Sequence, residues 1–418
     1  MSESEDSDSA SEGPPARVLF FSHSASLEGS ALSLLKLVSA LDRRRYEPVA
    51  VFREEGPVAD ALRGRGVAVH MEPRLALFGY CSGFHAEPWE PGFYRSLLRF
   101  PATAAAGFRW VRRLRPQIAH VNSLALLAVG IGTHLAGCRT ILHIREQSLP
   151  DRLRIRAITV RALIHHFYDH VLAICQSNLD SAGVRPAYAT VVPNWPDVPA
   201  GQEGGQGVRD RLGLGPDTRM ALFVGGESEA KGTHVLLRAV AQVRTTTPFV
   251  VVLAGRTITD TRRRRTRLYA RELHALRGPC AGRLVEIGPL SSVGEWYAAC
   301  DFVLFPSTLP HFPTPVIEAA VHGKPAVAAN DEVCRELIAG GETGLLFTPG
   351  DAGDLAAKMR LLLEDSALAD ALGRRARARI LPGFDRETSV QRVESVYRHL
   401  LARAGNAGEL ARAGGGHG

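Results

Sequence analysis

The amino-acid sequence predicts an α/β fold with two doubly wound, Rossmann-like domains that face a central cleft. Short, continuous apolar runs alternate with helical stretches, which is typical of strands covered on both faces of a parallel sheet. The alternation stops at "PDVPAGQEGGQGVR", a stretch rich in Gly and Pro, and then begins again. With 418 residues, the chain is long enough for two domains of ordinary size.

The strands are predicted from these apolar runs in order. The first half contains "RVLFF", "EPVAVF", "VAVHM", "IAHVN", "TILHI", "HVLAI" and "TVVP". The second half contains "MALFVG", "FVVVLAG", "LVEIG", "FVLFPS", "AVAAN" and "GLLF". Because ligands bind outside the carboxyl ends of the strands in such sheets, we expect the functional residues to follow the strands.

The predicted organisation follows from this pattern. An acidic, serine-rich tail at 1–15 is expected to be disordered. The first domain covers 16–197, a linker covers 198–209, and the second domain covers 210–382. Residues 383–403 are predicted to form a last helix that crosses back to the first domain. Residues 404–418 are predicted to be a second disordered tail.

Composition narrows the class of protein. No apolar run reaches the roughly 20 residues that a membrane-spanning helix needs, and no signal peptide is visible. The six cysteines are widely scattered without metal-site spacing, which favours a reduced, cytoplasmic chain. The Asp-x-Asp pair Asp6 and Asp8 lies in the first tail, so no metal site is expected there.

The net charge of +7 is unevenly distributed. Two stretches, 95–117 and 151–170, interleave arginine with aromatic and aliphatic residues, and a third basic run covers 262–267. This pattern suits the surface of an anionic membrane, so we expect peripheral contact with the inner face of the cell membrane. The alternative is that these basic stretches only face solvent and bind no partner. No nucleic-acid-binding signature accompanies the charge, so nucleic acid is not expected as a partner.

In the first half, polar residues follow three strands. Gly29 lies in the turn after the first strand, where a ligand could approach the backbone and the start of a helix. The two later strand ends carry His120, Asn122 and Ser123, and then His143, Arg145 and Glu146. A histidine at such a position is either a proton carrier or a satisfied core residue.

In the second half, two charged residues stand out. Lys231 precedes Gly232 and a helix start near Thr233, where the helix dipole repels a cation unless an anion such as phosphate lies between them. Glu318 lies on an apolar helix, and an unpaired buried carboxylate is costly. It is either half of a buried ion pair with an arginine or a ligand-binding carboxylate.

The ends of the Glu318 helix are also predicted from local signals. Thr314 is expected to cap the helix, with Pro315 at its first position, and Gly323 is expected to end it in a left-handed conformation.

From Arg17 to Ala402, the chain resembles the family 4 retaining glycosyltransferases, which have the GT-B fold. The resemblance lies in an ordered set of motifs. These are "FSHSASLEGSALSLLKLVSAL", "HVNS", "HIRE", "VVPNWPD", "FVGGESEAKGTHVLLRAV", "DFVLFPS", "PTPVIEAAVHGKPAVAAN" and "GGETGLLFTPGDAGDLA".

The resemblance implies transfer of a sugar from a nucleoside-diphosphate sugar to an acceptor hydroxyl with retention of configuration, without metal or cofactor. Glu318 would accept hydrogen bonds from the ribose hydroxyls, and Lys231 would meet the diphosphate. The implied donor-binding residues are Gly29, Lys231, Gly232, Ser307, Thr314, Pro315, Val316 and Glu318. The implied catalytic residues are His143, His120 and Arg145. Asn122 and Glu146 are implied on the acceptor side. The acceptor is expected to be a lipid-linked glycan, a cell-surface polysaccharide precursor or a small molecule.

Two positions depart from the family pattern. Pro310, followed by His311, stands where the first of two glutamates is usual, and Gly226 stands where an arginine is usual. Arg256, Arg145 and His311 are candidates to compensate for them. Two alternatives to a transferase therefore stay open. One is a non-catalytic GT-B protein that binds a nucleotide-sugar, and the other is a GT-B nucleotide-sugar epimerase, which would need an additional acid and base.

Overall fold

The computed structural model describes residues 13–27, 29–78, 91–148, 155–196, 204–259, 261–262, 264–290 and 292–414. The chain divides into two compact units. The first contains the residues up to Asn194 together with those from Arg386 onward, and the second runs from Trp195 to Asp385.

The first unit is built on a seven-stranded sheet in the order β3-β2-β1-β4-β5-β6-β7. Its strands are β1 Ala16–Ser22, β2 Tyr46–Phe52, β3 Ala68–Met71, β4 Ile118–Asn122, β5 Arg139–Ile144, β6 His170–Ala173 and β7 Ala189–Val191. Its helices before the second unit are α1 Gly29–Ala40, α2 Pro57–Arg63, α3 Pro91–Leu114, α4 Leu127–Leu135, α5 Ile155–Phe167 and α6 Gln176–Ala182.

The second unit is built on a six-stranded sheet in the order β10-β9-β8-β11-β12-β13. Its strands are β8 Arg219–Val224, β9 Phe249–Ala254, β10 Leu284–Gly288, β11 Phe302–Phe305, β12 Ala326–Ala329 and β13 Leu345–Phe347. Its helices are α7 Gly205–Arg211, α8 Thr233–Gln242, α9 Arg264–Arg277, α10 Gly294–Ala299, α11 Thr314–Val321, α12 Glu332–Leu337, α13 Ala352–Glu364 and α14 Ser366–Ile380.

The predicted fold class is confirmed, because every pair of neighbouring strands in both sheets is parallel. The apolar runs are strands because both of their faces are covered. In β1, for example, the residues from Val18 to Phe21 are completely buried. The strand order reverses between β1 and β4 in one sheet and between β8 and β11 in the other. Ligands of doubly wound sheets bind at the carboxyl ends of such strands.

The segment between the units differs from the predicted linker. Residues 205–209 of the predicted linker belong to α7, and Val208 of this helix is completely buried in the core of the second unit. Burial of Val208, together with hydrogen bonds from Arg209 to the carbonyls of Ala299 and Thr218, holds this Gly-rich segment, although it has no helical periodicity in sequence. Residues 197–203 lie outside the described part of the chain.

The last helix, α15 Arg386–Gly414, belongs to the first unit. Its Glu394 carboxylate accepts a hydrogen bond from the Asp42 backbone amide at 3.1 Å, and its Tyr397 is completely buried. The helix therefore brings residues from the end of the chain into the first unit. It also runs past the predicted end at 403, so residues 404–414 are helical and do not form the predicted disordered tail.

Three features that the composition argues against are a membrane-spanning helix, a disulfide and a metal site, and each can be checked only in the described part of the chain. No described helix has the length and apolar character needed to cross a membrane. Cys138, Cys175, Cys280, Cys300 and Cys334 are all buried and form no disulfide, whereas the sixth cysteine lies outside the described residues. The described His, Cys, Asp and Glu side chains form no cluster of three or more that could hold a metal ion.

Candidate functional site

In the second unit, the loop after β8 is shaped by Gly232. This residue has φ +69°, and α8 begins directly after it at Thr233, as predicted. A Cβ atom on Gly232 would lie only 1.7 Å from the carbonyl oxygen of Pro306, which follows β11. Both the backbone conformation and the close approach therefore require glycine, and they place Lys231 immediately before the start of α8.

The loops after β8 and β11 are joined by hydrogen bonds. The backbone amide of Thr308 donates to the carbonyl of Ala230 at 3.0 Å, and the Ser307 hydroxyl reaches the same carbonyl at 3.2 Å. Ser307, one of the predicted donor-binding residues, is 2% exposed, so its main contacts are within the protein. These bonds hold the Lys231 loop against the segment that leads into α11.

The Lys231 side chain contacts His311. Its Nζ lies 2.8 Å from His311 Nε2, and His311 Nδ1 lies 2.9 Å from the Leu309 carbonyl. This network assigns the ring proton to Nδ1 and the acceptor role to Nε2. Burial, and then the Lys231 charge, lower the pKa of His311 to about 3, so the ring is neutral at neutral pH. His311 therefore orients the Lys231 ammonium without cancelling its charge.

Glu318 lies at the solvent edge of α11. The neighbouring Ile317 and Ala319 are buried, whereas Glu318 is half-buried. The hydroxyl of Tyr297 donates a hydrogen bond to Glu318 Oε2 at 2.6 Å. Tyr297 is completely buried, and burial followed by the Glu318 charge raises its pKa well above the usual value. A buried phenol thus fixes the orientation of one carboxylate oxygen.

The predicted ends of α11 are partly wrong. The helix begins at Thr314 with Pro315 as its second residue, and no side chain caps it. Thr314 is already helical, so its hydroxyl is not placed to cap the first amides. Gly323 follows the helix with φ +71°, as predicted. Val316 is 3% exposed in the core of the second unit, where it serves packing.

The two departures from the family pattern have different neighbours. His311, next to Pro310, holds Lys231 as described above. At Gly226, a Cβ atom would lie 3.3 Å from the carbonyl oxygen of Arg256. The position at which the family usually has an arginine therefore lies directly beside Arg256.

In the first unit, Gly29 is the first residue of α1, although it was predicted to lie in the turn before that helix. Gly29 has φ +51° and is exposed, with no heavy atom within 4 Å of an added Cβ. The backbone conformation therefore requires glycine at this position, and the space beside the residue is open. Asn122, at the end of β4, donates from Nδ2 to the Ser30 carbonyl at 3.0 Å, which ties the start of α1 to the neighbouring strand.

Arg145 is a buried cation at the end of β5. Its Nε donates to Asn122 Oδ1 at 2.5 Å, and its Nη1 donates to Asn194 Oδ1 at 2.6 Å. Arg145 is 8% exposed and forms no ion pair with a carboxylate of the described residues. Burial lowers its pKa to about 10, so it stays charged at neutral pH. A buried charge is expensive, and here the neutral amides and the charge of Glu146 offset that cost only in part, so Arg145 is chemically suited to bind an anion.

Two further residues surround Arg145. Glu146 Oε2 accepts a hydrogen bond from the Leu124 amide at 3.3 Å, and burial raises the Glu146 pKa. Ser123 is completely buried and has φ +141°, a conformation that is strained for a residue with a side chain. Backbone strain of this kind is common at functional sites.

A chain of aromatic side chains leads to Arg145. The Tyr397 hydroxyl lies 2.7 Å from His120 Nδ1, and His120 Nε2 lies 3.1 Å from His143 Nδ1. Arg145 Nη2 lies 3.3 Å from the same Nδ1. Because arginine can only donate, His143 Nδ1 is assigned as an acceptor, and both rings carry their proton on Nε2.

This assignment decides what the histidines can do chemically. Burial, and then the Arg145 charge, lower the His120 pKa to about 3 and the His143 pKa well below the usual value. Both rings are therefore neutral at neutral pH. His120 is completely buried with both nitrogens engaged. His143 Nε2, which carries the proton, has no hydrogen-bond partner among the described residues. His143 is thus arranged as a hydrogen-bond donor.

Sequence reasoning missed three of these residues. Tyr297 and Tyr397 lie on helices with no local signal, and their partners Glu318 and His120 are 21 and 277 residues away in sequence. Asn194 follows β7 in the "VVPNW" turn, so the rule that ligand-binding residues follow strands could have found it.

Two family models match the chain. Residues 28–195 match the model "Glycosyl transferase 4-like domain", and residues 208–379 match "Glycosyl transferases group 1". Among curated proteins, the chain is similar to D-inositol 3-phosphate glycosyltransferase of Corynebacterium jeikeium (strain K411), with 32% identity over 54% of each chain. It is also similar to glycogen synthase of Mycobacterium tuberculosis (strain ATCC 25618 / H37Rv), with 31% identity over 44% of this chain and 43% of the relative. The chain spans about half the length or less of these relatives.

Among solved structures, the chain is similar to Anabaena Alr3699/HepE in complex with UDP-glucose. The identity is 21%, the match covers 92% of this chain and 100% of that chain, and the TM-score is 0.71. At this level of identity the likeness shows the fold, which is that of two Rossmann-like halves.

Proposed function

The chain belongs to the group 1 glycosyltransferases, with a 4-like first unit and the GT-B fold, and from this premise we propose that it is a retaining glycosyltransferase. It would transfer a sugar from a nucleoside-diphosphate sugar to an acceptor hydroxyl. The observation that carries the proposal is that Lys231, whose ammonium contacts His311, directly precedes Gly232 at the start of α8. Two sources of positive charge at one strand end are suited to a diphosphate.

On the second unit, we assign the donor-binding roles as follows. Lys231 and the amides at the start of α8 stabilise the departing diphosphate as preorganised electrostatics. They supply the positive charge that this chemistry needs, so the proposed mechanism uses no metal or cofactor. Glu318, oriented by Tyr297, accepts hydrogen bonds from the two ribose hydroxyls.

On the first unit, we assign hydrogen-bond donation to Arg145 and to the Nε2 proton of His143. A neutral imidazole with a depressed pKa is a poor general base, so His143 serves better as a donor to a developing negative charge than as a proton acceptor. His120 and Tyr397 act through His143 as positioning residues. Asn122 is buried with its amide oxygen and nitrogen both engaged, so it positions Arg145. Glu146 stays the candidate on the acceptor side.

The donor and the acceptor are proposed from what the relatives bind. The HepE structure contains UDP-glucose, so UDP-sugars are the first donors to test. The curated relatives are named for inositol 3-phosphate and for glycogen, so a hydroxyl of a polyol or sugar is the proposed acceptor class. Peripheral contact with an anionic membrane remains part of the proposal because of the basic helix α3.

The test is a thermal-shift panel of UDP, GDP, ADP and their glucose conjugates on the full chain. A ligand at about 100 times its dissociation constant adds roughly 2.7 kcal/mol to the free energy of unfolding. Lys231→Ala should weaken the binding of the preferred nucleotide about tenfold to a hundredfold, because a charge-assisted hydrogen bond contributes roughly 1.5–3 kcal/mol. Lys358→Ala is the matched control, since Lys358 lies on α13 and its ion-pair partner among the described residues is Asp354 at 3.9 Å. Equal affinity in both variants would refute the assignment.

A second candidate is a protein that binds the nucleotide-sugar without transferring it. Pro310 favours it, because proline offers no carboxylate near the donor sugar, and so does Gly226, which offers no cation. Slow release of UDP from UDP-glucose would support the transferase. Tight binding of UDP-glucose without turnover, in the presence of sugar and polyol acceptors, would support the binding protein.

A further inference from the structure

The first unit contains a cavity of about 500 Å³ that the proposed function does not use. Its volume lies within the range of small-molecule sites. We call it the arginine cavity, because its described lining residues are Arg53, Pro73, Arg74, Leu75, Ala76, Leu77, Arg95, Arg99 and Ala102. They include four arginines and no Asp or Glu.

The arginines come from three separate elements. Arg53 directly follows β2, Arg74 lies in the loop after β3, and Arg95 and Arg99 lie one turn apart on α3. Sequence reasoning assigned the last two to a membrane-facing helix. Their convergence with Arg53 on one cavity arises only from the tertiary structure.

Three of the four guanidinium groups have no partner in the part of the chain that the structure describes. Among the described residues, the side chains of Arg53, Arg95 and Arg99 form no ion pair and no hydrogen bond. Arg74 differs, because its Nε donates to the buried carboxylate of Glu72 at 2.8 Å. Uncompensated like charges around one concave space repel each other, and an anionic ligand would relieve that repulsion.

The wall of the cavity is held in place before any ligand binds. The completely buried Thr103 on α3 accepts a hydrogen bond from the Ala76 amide at 2.9 Å, and its hydroxyl lies 3.1 Å from the Arg74 carbonyl. Leu75, between them, is completely buried. The loop after β3 is therefore fixed to α3, so the backbone that carries Arg74 and Arg99 is in place before a ligand binds.

The arginine cavity lies on the same edge of the sheet as the Arg145 cluster. Phe52, which precedes Arg53, pairs with Ser22, and Ser22 pairs with Asn122, which holds Arg145. Arg145 follows β5, which pairs with β4 next to Asn122. Neighbouring strands are about 4.8 Å apart, so the ends of β2 and β5 are separated by three spacings, or roughly 14 Å. A ligand of about that length could have one end in each place.

We propose that the arginine cavity is a subsite for an anionic group of the phosphate type that the acceptor carries, which selects acidic acceptors and directs their hydroxyl toward Arg145 and His143. The assignment rests on the proposed transferase function. The phosphate could belong to a soluble sugar phosphate or to the headgroup of a lipid-linked acceptor, since the chemistry of recognition is the same.

The test is titration of the full chain with inorganic phosphate by calorimetry at constant ionic strength in chloride. Arg53→Gln/Arg99→Gln removes two guanidinium groups and should weaken phosphate binding a hundredfold or more, at tenfold or more for each charge-assisted hydrogen bond. Arg44→Gln/Arg65→Gln is the matched control. It changes the net charge of the same unit equally at two exposed positions, and its phosphate affinity should stay within about twofold of the original.

Two further arms identify the source of the anion and separate this assignment from the proposed function. Vesicles containing phosphatidylglycerol that compete with phosphate would indicate a lipid-linked acceptor, and vesicles that do not compete would indicate a soluble one. UDP binding is measured in parallel, so that its absence counts against the donor site alone.

Three results would overturn the subsite. The first is no phosphate binding, and the second is equal loss of phosphate binding in the Arg44/Arg65 control. The third is phosphate binding that Lys231→Ala abolishes while Arg53→Gln/Arg99→Gln leaves it unchanged, because the bound phosphate would then lie at the donor site.

Discussion

Glu318→Gln separates the two roles that are open to the Glu318 carboxylate. The substitution keeps the size of the side chain and an oxygen that can accept from Tyr297, but it removes the charge. If Glu318 binds the ribose of the donor, its charge matters most when the nucleotide is bound. If Glu318 is half of a buried ion pair, its charge matters most for folding.

The magnitudes follow from the 2.6 Å bond between Tyr297 and Glu318 Oε2. This charge-assisted bond contributes roughly 1.5–3 kcal/mol and becomes a neutral one of roughly 1 kcal/mol in the glutamine variant. The free energy of unfolding should therefore fall by only about 1 kcal/mol. Affinity for the nucleoside diphosphate should fall by roughly 1.5–3 kcal/mol, or about tenfold to 150-fold, whereas affinity for inorganic diphosphate should hardly change.

The assay combines urea unfolding of the empty protein with two binding isotherms, one for UDP and one for inorganic diphosphate. Glu364→Gln, at the exposed end of α13, is the control for loss of one carboxylate in the same unit. Tyr297→Phe tests the orienting role, and it should lower UDP affinity less than Glu318→Gln does.

The refuting result is equally specific. A stability loss of roughly 3–5 kcal/mol in Glu318→Gln, together with unchanged UDP affinity, would show that Glu318 is a structural ion-pair partner.

Three further predictions concern the first unit and the histidines. Tyr397→Phe leaves His120 Nδ1 buried without its donor, so the free energy of unfolding in urea should fall by roughly 1–3 kcal/mol, and an unchanged value would contradict the network. Because burial lowers the pKa of His120 and of His311 from 6.5 to about 3, the unfolded chain binds more protons than the folded one between these values. Stability should therefore be full above pH 6.5 and fall as the pH drops, by about 2 kcal/mol per histidine at pH 5, and a flat profile between pH 7 and 5 would refute the neutral assignment. Leu98 on α3 is 81% exposed between Arg95 and Arg99, so the protein should sediment with anionic vesicles at low salt. Leu98→Ala should weaken binding to these vesicles about tenfold, because it removes apolar surface that the membrane would bury. Equal binding to neutral and anionic vesicles would argue against membrane contact through α3.

The candidate site was partly predictable because some of its signals are local. Lys231 before a helix start, the glycine at position 232 and the carboxylate on an apolar helix are visible in short stretches of sequence. Thr314 shows the limit of such signals, since its side chain has the right chemistry for a cap and yet lies one position inside the helix. Pro313, which has no side chain that can accept a hydrogen bond, occupies the N-cap position instead.

By itself, the sequence determined the two parallel sheets, the strands within them and the strand ends that carry polar residues. Periodicity, β-branching and glycine placement act over a few residues, so they can be read without knowing the fold. Only the tertiary structure decided which side chains meet: Lys231 with His311, 80 residues away, and Tyr397 with His120, 277 residues away. It also decided that arginines from three elements converge on one cavity. The physical reason is that a buried polar group must find a partner wherever the packing of strands and helices brings one, and sequence spacing does not encode that distance.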